Sequence, residues 1–310
     1  MNKEKLIVIA GPTASGKTAA AVELCKLIGG EVVSADSMQI YRGMDVLSAK
    51  PTAAEMDGIP HHMLGIADPK EKFSAAKYRD MAKEIISGII ARGNMPVICG
   101  GTGLYINAVT RPMEFSEKCD DTLRKELLAM ADMPGGREKL HGILKEIDPE
   151  AAQKLHPNDV RRVTRAIEVF RLTGVTQSEQ ARIDAQREGD YDETFFALSW
   201  PRDVLYERIN RRVDIMLENG LVDEVRALRR DEENHPTALQ AIGYKEIAAA
   251  LDGRMTMEEA VNLVKQLSRN YAKKQMTWFQ RDPRAVWIDA ENKTADAVTN
   301  EMIDYLEEQP

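Results

Sequence analysis

Apolar residues recur along this chain in two alternating patterns. Leu6-Ile7-Val8-Ile9-Ala10 is a continuous apolar run, too short for a helix and rich in β-branched side chains, and it predicts a strand buried on both faces. Lys17 to Leu27 then carries apolar residues at helical spacing. Glu31 to Asp36 predicts a second strand ending in a carboxylate, Phe73 to Arg92 a helix, and Met95 to Cys99 a third strand. From about Arg111 the pattern changes. Asp121–Ala131, Gly136–Ile147, Pro149–Leu155 and Asp159–Leu172 all have helical periodicity, broken by Pro134-Gly135-Gly136, Asp148-Pro149 and His156-Pro157-Asn158. No strand signal returns until Thr194–Trp200. Arg202 to Asn219 predicts a long helix stopped at Gly220. Leu221–Arg230, Ala238–Leu251 and Met257–Arg281 predict further helices, and Ala285–Asp289 the last strand.

The first strand runs into Gly11-Pro12-Thr13-Ala14-Ser15-Gly16-Lys17-Thr18, which fits G-x-x-x-x-G-K-[ST] between a strand and a helix. Its backbone N–H groups and the positive end of the following helix suit a diphosphate. Lys17 adds a point charge, and the Thr18 hydroxyl suits Mg²⁺. The fold expected is α/β: a P-loop NTPase-like parallel sheet core with an all-helical insertion domain. The division expected is core at 1–111, helical insertion at 112–190, and core with a C-terminal basic helix at 191–310. In such a sheet ligands lie beyond the carboxyl ends of the strands, so Asp36 should face the phosphate loop. Gly100-Gly101-Thr102-Gly103 should bring backbone close to the same ligand. His61-His62 is expected to be a polar loop, since adjacent residues point apart and no further metal ligands lie nearby.

At 310 residues with 43% hydrophobic and 30% charged residues the composition is that of a globular protein, and no apolar run reaches the length of a membrane span. Cys25, Cys99 and Cys119 are scattered without C-x-x-C spacing, which points to reduced thiols and a cytoplasmic protein. The net charge of −8 argues against nucleic acid, but its distribution does not. Between Lys265 and Arg284 six bases face one acid. Arg161, Arg162, Arg165 and Arg171 form a second cluster, and Arg208, Arg211 and Arg212 a third, together suggesting a polyanion track.

GPTASGKT, DSMQIYRGMDVLSAKP, the PHH at Pro60, GGTGLY, HPNDVRRVTRAIEVF, LYERINRRVDIML, AIGYKE and RNYAKKQMTWFQRD occur in this order, and from Lys5 to about Asp289 the chain resembles the bacterial tRNA dimethylallyltransferases of the IPP transferase family. The resemblance implies transfer of the dimethylallyl group of dimethylallyl diphosphate to the exocyclic amine of the adenosine 3′ of the anticodon, with Mg²⁺ and release of pyrophosphate. It implies Asp36 as general base rather than Mg²⁺ ligand, Thr102 orienting the amine, and Gln39 reading the base edge. Lys17, Thr18-bound Mg²⁺ and Arg212 would absorb charge on the leaving group, with Arg208 one turn earlier the competing arginine. The acceptor base must leave its stack. Asp36, Ser37, Met38 and Gln39 would meet it, while Arg161, Arg162, Arg165, Arg269, Lys273 and Lys274 hold tRNA phosphates. Tyr271, Tyr244 or Trp278 could stack displaced bases, with Trp278 expected to be core. The partners expected are tRNA and dimethylallyl diphosphate, with no membrane, and the protein is expected to act as a monomer. The competing expectations are a prenyltransferase acting on AMP, ADP or ATP, a P-loop small-molecule kinase, and a non-catalytic P-loop switch.

Overall fold

The computed structural model describes residues 3–115, 120–230 and 238–308. The chain divides into two compact units, one formed by the residues up to Thr110 with those from Asp190 onward, the other by Arg111–Gly189. In the first, six strands form one sheet: β1 (Glu4–Ala10), β2 (Gly30–Ser34), β3 (His61–His62), β4 (Met95–Gly100), β5 (Tyr191–Ser199) and β6 (Ala285–Asp289). The spatial order is β3-β2-β4-β1-β5-β6, every pairing is parallel, and Ile9 pairs with Cys99 and Phe196 across the centre.

The uninterrupted apolar run of β1 follows from this position. Leu6, Val8 and Ala10 face one core layer and Ile7 and Ile9 the other, so both faces of the strand are covered. The helix α1 (Lys17–Ile28) packs Ala20, Ala21 and Leu24 on the second face. The first face takes α3 (Ala75–Ala91) and α4 (Gly103–Thr110), after a short α2 (Ala53–Met56). The second unit is all helical, from α5 (Asp121–Asp132) through α6 (Gly136–Ile147), α7 (Pro149–Lys154) and α8 (Val160–Thr173) to α9 (Gln177–Ala185). Leu127, Leu140, Leu144, Val163 and Ile167 form its own core. The first unit continues with α10 (Arg202–Glu218), α11 (Leu221–Arg229), α12 (Tyr244–Leu251), α13 (Met257–Phe279) and α14 (Ala295–Glu308). No described helix is long and apolar enough to cross a membrane.

Several elements depart from the sequence pattern. The His61-His62 pair is an edge strand rather than a loop, because two residues pairing with Val32 and Val33 are too few to show a period. β5 starts at Tyr191, three residues early, where polar Asp192 and Glu193 pair alongside Lys5 and Leu6. The helices α2, α4, α9 and α14 carry no expectation; α14 buries Val298 and Met302 against the second core layer. Cys25 and Cys99 are buried, and burial pushes their thiols up to about 12 and about 11; Cys119 lies outside the described residues.

His62 also ties down the sheet edge. Its Nε2 lies 2.6 Å from Glu31 Oε2, and the same carboxylate accepts from Arg92 Nη2 at 2.7 Å and Asn94 Nδ2 at 2.8 Å. The Arg92 hydrogen bonds, reinforced by Asn94 and His62, hold Glu31 down at about 2 despite its burial. A depressed carboxyl pKa stabilises the fold above the unfolded value and loses that contribution as pH falls through the folded one. Glu31→Gln should therefore melt below the wild-type protein at pH 7. The gap should close as pH falls from about 4.5 towards 2, and a gap constant with pH in thermal melts would refute the assignment.

Candidate active site

The phosphate loop takes its shape from its two flanking elements and one distant helix. At its far end α1 begins without a side-chain cap, leaving the N–H groups of its first turn uncapped and pointing at the site. The Ser15 hydroxyl is buried in the loop without a hydrogen-bond partner among the described residues. Lys17 Nζ donates to Pro12 O at 2.7 Å, and burial lowers the ammonium to about 8, with Arg212 adding to the shift while Cys99 and Asp36 oppose it. A charged lysine is thus held in a poorly solvated place where an anion would relieve it. Thr13 departs from its expected part in the cradle, because its N–H donates to Gln275 Oε1 at 2.9 Å.

Asp36 stands two residues beyond β2. Its Oδ1 accepts from Met38 N at 2.8 Å and Gln39 N at 3.3 Å, which closes the turn and leaves Oδ2 without a donor among the described residues. Ser37 N donates to Thr102 Oγ1 at 3.1 Å, and the Tyr271 phenol lies close to that hydroxyl. Burial pushes that phenol up to about 12 although a third of the residue remains exposed, so its polar end is the sheltered part. Asp36, Ser37, Met38, Gln39, Lys17, Thr18, Arg212 and Tyr271 line one cavity of about 290 Å³, room for a small ligand or a single base but not for a folded RNA. A second cavity, lined by Ala14, Ser15, Gly16, Arg208 and Arg211, shares Ala49, Met216 and the three polar residues Lys17, Thr18 and Arg212 with the first. Those three residues therefore face both.

The two arginines of α10 divide their tasks. Arg208 Nε donates to Ala14 O at 2.9 Å and its guanidinium lies 4.1 Å from the Trp200 ring, so it braces the loop from the second cavity. Arg212 Nη2 donates to Ala49 O at 3.1 Å, and burial lowers its pKa, with Asp36 and Glu55 pulling the other way. Ala49 is held in turn by a loop that sequence reasoning missed. Glu224 of α11 accepts the N–H groups of Asp45, Val46 and Leu47 at 2.9, 2.8 and 2.7 Å.

Several expected site residues have structural partners. The Gln39 amide accepts from Ser34 Oγ at 3.1 Å and donates to Ala49 O at 3.3 Å, leaving it committed to the wall rather than to a base edge. Tyr244 is core, 2% exposed, and so cannot stack a base; an aromatic at the start of an apolar helix was drawn inward. Trp278, expected inside, is instead 41% exposed. The glycines of β4 and its turn have a packing task beside their place at the cavity, which Gly100 and Gly101 line as expected. A Cβ on Gly100 would lie 2.2 Å from Ala35 O, one on Gly101 2.1 Å from Gln275 Nε2, and one on Gly103 2.2 Å from Trp278 Nε1. Close approach to protein atoms is thus needed at each of these three positions. Gln275, buried on α13, joins the phosphate loop to this turn, since its Nε2 donates to Gly101 O at 2.9 Å. A polar residue at core spacing in that helix was the signal available.

The basic residues sort in the same way. Arg269 donates to Asn210 Oδ1 at 2.6 Å, and Arg284 is bound to Asp282 and Glu193; both fasten elements of the first unit. Lys273 and Lys274 are exposed, with no partner among the described residues. In the second unit Arg161 and Arg162 are exposed, Arg162 beside Asp159 at 3.2 Å, and Arg165 pairs with the fully buried Glu168, which Arg124 also holds. Burial alone would raise Glu168, but the two arginines outweigh it and keep its pKa below the ordinary value.

A P-loop on a parallel sheet, with a carboxylate and two cationic side chains on one cavity, defines an α/β protein built to work on a diphosphate. The profile of the family described as IPP transferase matches residues 39–282, and the chain belongs to that family. It is 47% identical to the tRNA dimethylallyltransferase of Halalkalibacterium halodurans over 98% of this chain and 97% of that one. It is 43% identical to that of Carboxydothermus hydrogenoformans over 97% and 96%. The solved full-length tRNA isopentenylpyrophosphate transferase of Bacillus halodurans superposes with a TM-score of 0.74 at 45% identity, over 98% of this chain and 96% of that chain. A eukaryotic dimethylallyltransferase acting on tRNA superposes with a TM-score of 0.82 at 27% identity, over 99% and 80%.

Proposed function

We propose that this protein transfers the dimethylallyl group of dimethylallyl diphosphate to the exocyclic amine of the adenosine 3′ of the anticodon in tRNA, releasing pyrophosphate. The observation that carries the reading is one cavity with the Lys17–Arg212 pair on one wall and an uncommitted carboxylate oxygen, Asp36 Oδ2, on another. Alkylation of a delocalised amine needs this polarity. Negative charge grows on the diphosphate as its C–O bond breaks, and a proton leaves the nitrogen as the C–N bond forms. Lys17, Arg212 and the uncapped start of α1 take the first charge, and Asp36 takes the proton. The turn bonds at Oδ1 keep Oδ2 aimed. Thr102 Oγ1 accepts from Ser37 N and donates to Ser37 Oγ, which leaves one lone pair to receive one N–H of the amine.

The residues fit Mg²⁺ as an ion that arrives on the diphosphate. Thr18 offers a hydroxyl at both cavities, and no group of three or more His, Cys, Asp or Glu among the described residues could cage a metal. Held by Thr18 and substrate oxygens, Mg²⁺ would neutralise part of the leaving charge. Because one chain lines both cavities, we take the monomer to be the working form, in the cytoplasm where its tRNA acceptor is found.

The direct test is incubation with unmodified tRNA and dimethylallyl diphosphate followed by mass analysis of nucleosides. A dimethylallyl group on the adenosine 3′ of the anticodon supports the reading. Equal turnover of AMP would move it to a nucleotide prenyltransferase, and transfer of γ-phosphate from ATP to a kinase.

RNA binding gives an independent check. Arg161, Arg162, Lys273 and Lys274 are exposed and would meet phosphates, each contact releasing condensed counterion. Replacing all four by alanine should raise the apparent Kd for tRNA at least about tenfold and lower the slope of log K against log salt by up to about four. The KM for dimethylallyl diphosphate should not change. An unaltered slope would return these residues to the status of solvated helix faces.

A further inference from the structure

On α13 the residues Val264, Ser268, Tyr271 and Gln275 line the cavity at intervals of three and four. Trp278 is the next position of that stripe, three residues beyond the last one that lines the cavity. Its indole is seated against Gly103, the first residue of α4, where even one added carbon would collide with it, and it remains 41% exposed. Leu104 beside it is equally exposed. The positions four before and three after Trp278 are Lys274 and Arg281, both exposed and with no partner among the described residues. An aromatic plane flanked by unpaired cations, continuous with the wall of a cavity that admits one base, has the chemistry of a single-stranded nucleic-acid contact.

We propose that Trp278 is a stacking platform for the nucleobase adjacent to the one that enters the cavity. Resting on the functional reading above, the inference follows from what base extrusion leaves behind. Once the target adenine quits the stack, its neighbour has an open face, and the exposed indole covers it while Lys274 and Arg281 meet the adjoining phosphates. Gly103 is then required as glycine because a side chain would displace the platform.

The test uses an anticodon stem-loop RNA carrying the target adenosine and the variants Trp278→Ala, Trp278→Leu and Trp278→Phe. Alanine and leucine should weaken RNA binding about 5- to 100-fold, the range for losing one base–aromatic stack, and phenylalanine should keep most of the affinity. The KM for dimethylallyl diphosphate and the turnover at saturating RNA should stay within a few-fold of wild type. An abasic nucleotide next to the target should cost the wild-type protein a similar factor and cost Trp278→Ala nothing further, since both remove the same stack. Wild-type affinity in the leucine variant would show that the indole only covers Gly103, and independent penalties for the two changes would show that the base and the indole do not meet. Either result overturns the proposal, as would concentration-dependent self-association abolished by Trp278→Ala, which would give the patch to a second copy of the chain. Normal prenylation with indifference to Trp278 defeats this inference alone. Failure of the wild-type protein to prenylate any RNA defeats the functional reading, and this inference with it.

Discussion

Asp36→Asn is expected to lower turnover by at least about 10²-fold while tRNA affinity stays within a few-fold. Asparagine is the informative replacement because Asp36 has two tasks. Its Oδ1 closes the turn by accepting from Met38 N and Gln39 N, which an amide oxygen can still do, whereas its Oδ2 is the proton acceptor, which an amide nitrogen cannot replace. Asp36→Ala removes both and should lose at least as much turnover. It should also loosen the wall formed by Ser37 to Gln39, raising the KM for RNA as well. If Asp36→Asn kept near-normal turnover in single-turnover assays, the carboxylate would be a turn residue and the base would have to be sought elsewhere.

Lys17→Ala is expected to lower kcat/KM for dimethylallyl diphosphate by about 10²–10³-fold, the loss typical of one donor aimed at developing charge. The ammonium is buried, lowered to about 8, and held by a single carbonyl, Pro12 O, among the described residues. An incoming diphosphate would stabilise its charged form, and more so as the C–O bond breaks. Thr18→Ala should instead change mainly the Mg²⁺ concentration needed for half-maximal rate, since its hydroxyl is the expected metal contact. Binding of tRNA should survive both. Steady-state kinetics with each substrate varied separately will decide: a Lys17→Ala variant defective only towards RNA would remove the lysine from the donor site.

Why some of this site was readable and some was not follows from sequence distance. The phosphate loop is strand, turn and helix in succession, so the eight residues Gly11–Thr18 carry their own context. Asp36 was placed because a strand of known direction ends just before it. Gln275 was invisible as a partner of Thr13, 262 residues away, and so was Glu224, which binds the N–H groups of a loop nearly 180 positions earlier. The basic clusters were visible as counts, but counts cannot distinguish Lys273, facing solvent, from Arg165 or Arg284, each spent on a buried carboxylate. Tyr244 and Trp278 show the same limit. Both are aromatic residues on amphipathic helices, and only packing sends one into the core and leaves the other half-exposed.

By itself the amino-acid sequence determined the alternation of strands and helices, the helical stretch after Arg111, the anion cradle and, through its run of motifs, the family. These depend on local periodicity and on backbone geometry within a few residues. Only the tertiary structure decided which face of α13 meets the phosphate loop, which arginine of α10 stands at both cavities, and why the turn after β4 must be glycine. Each depends on two segments remote in sequence approaching within about 3 Å, which no local pattern records.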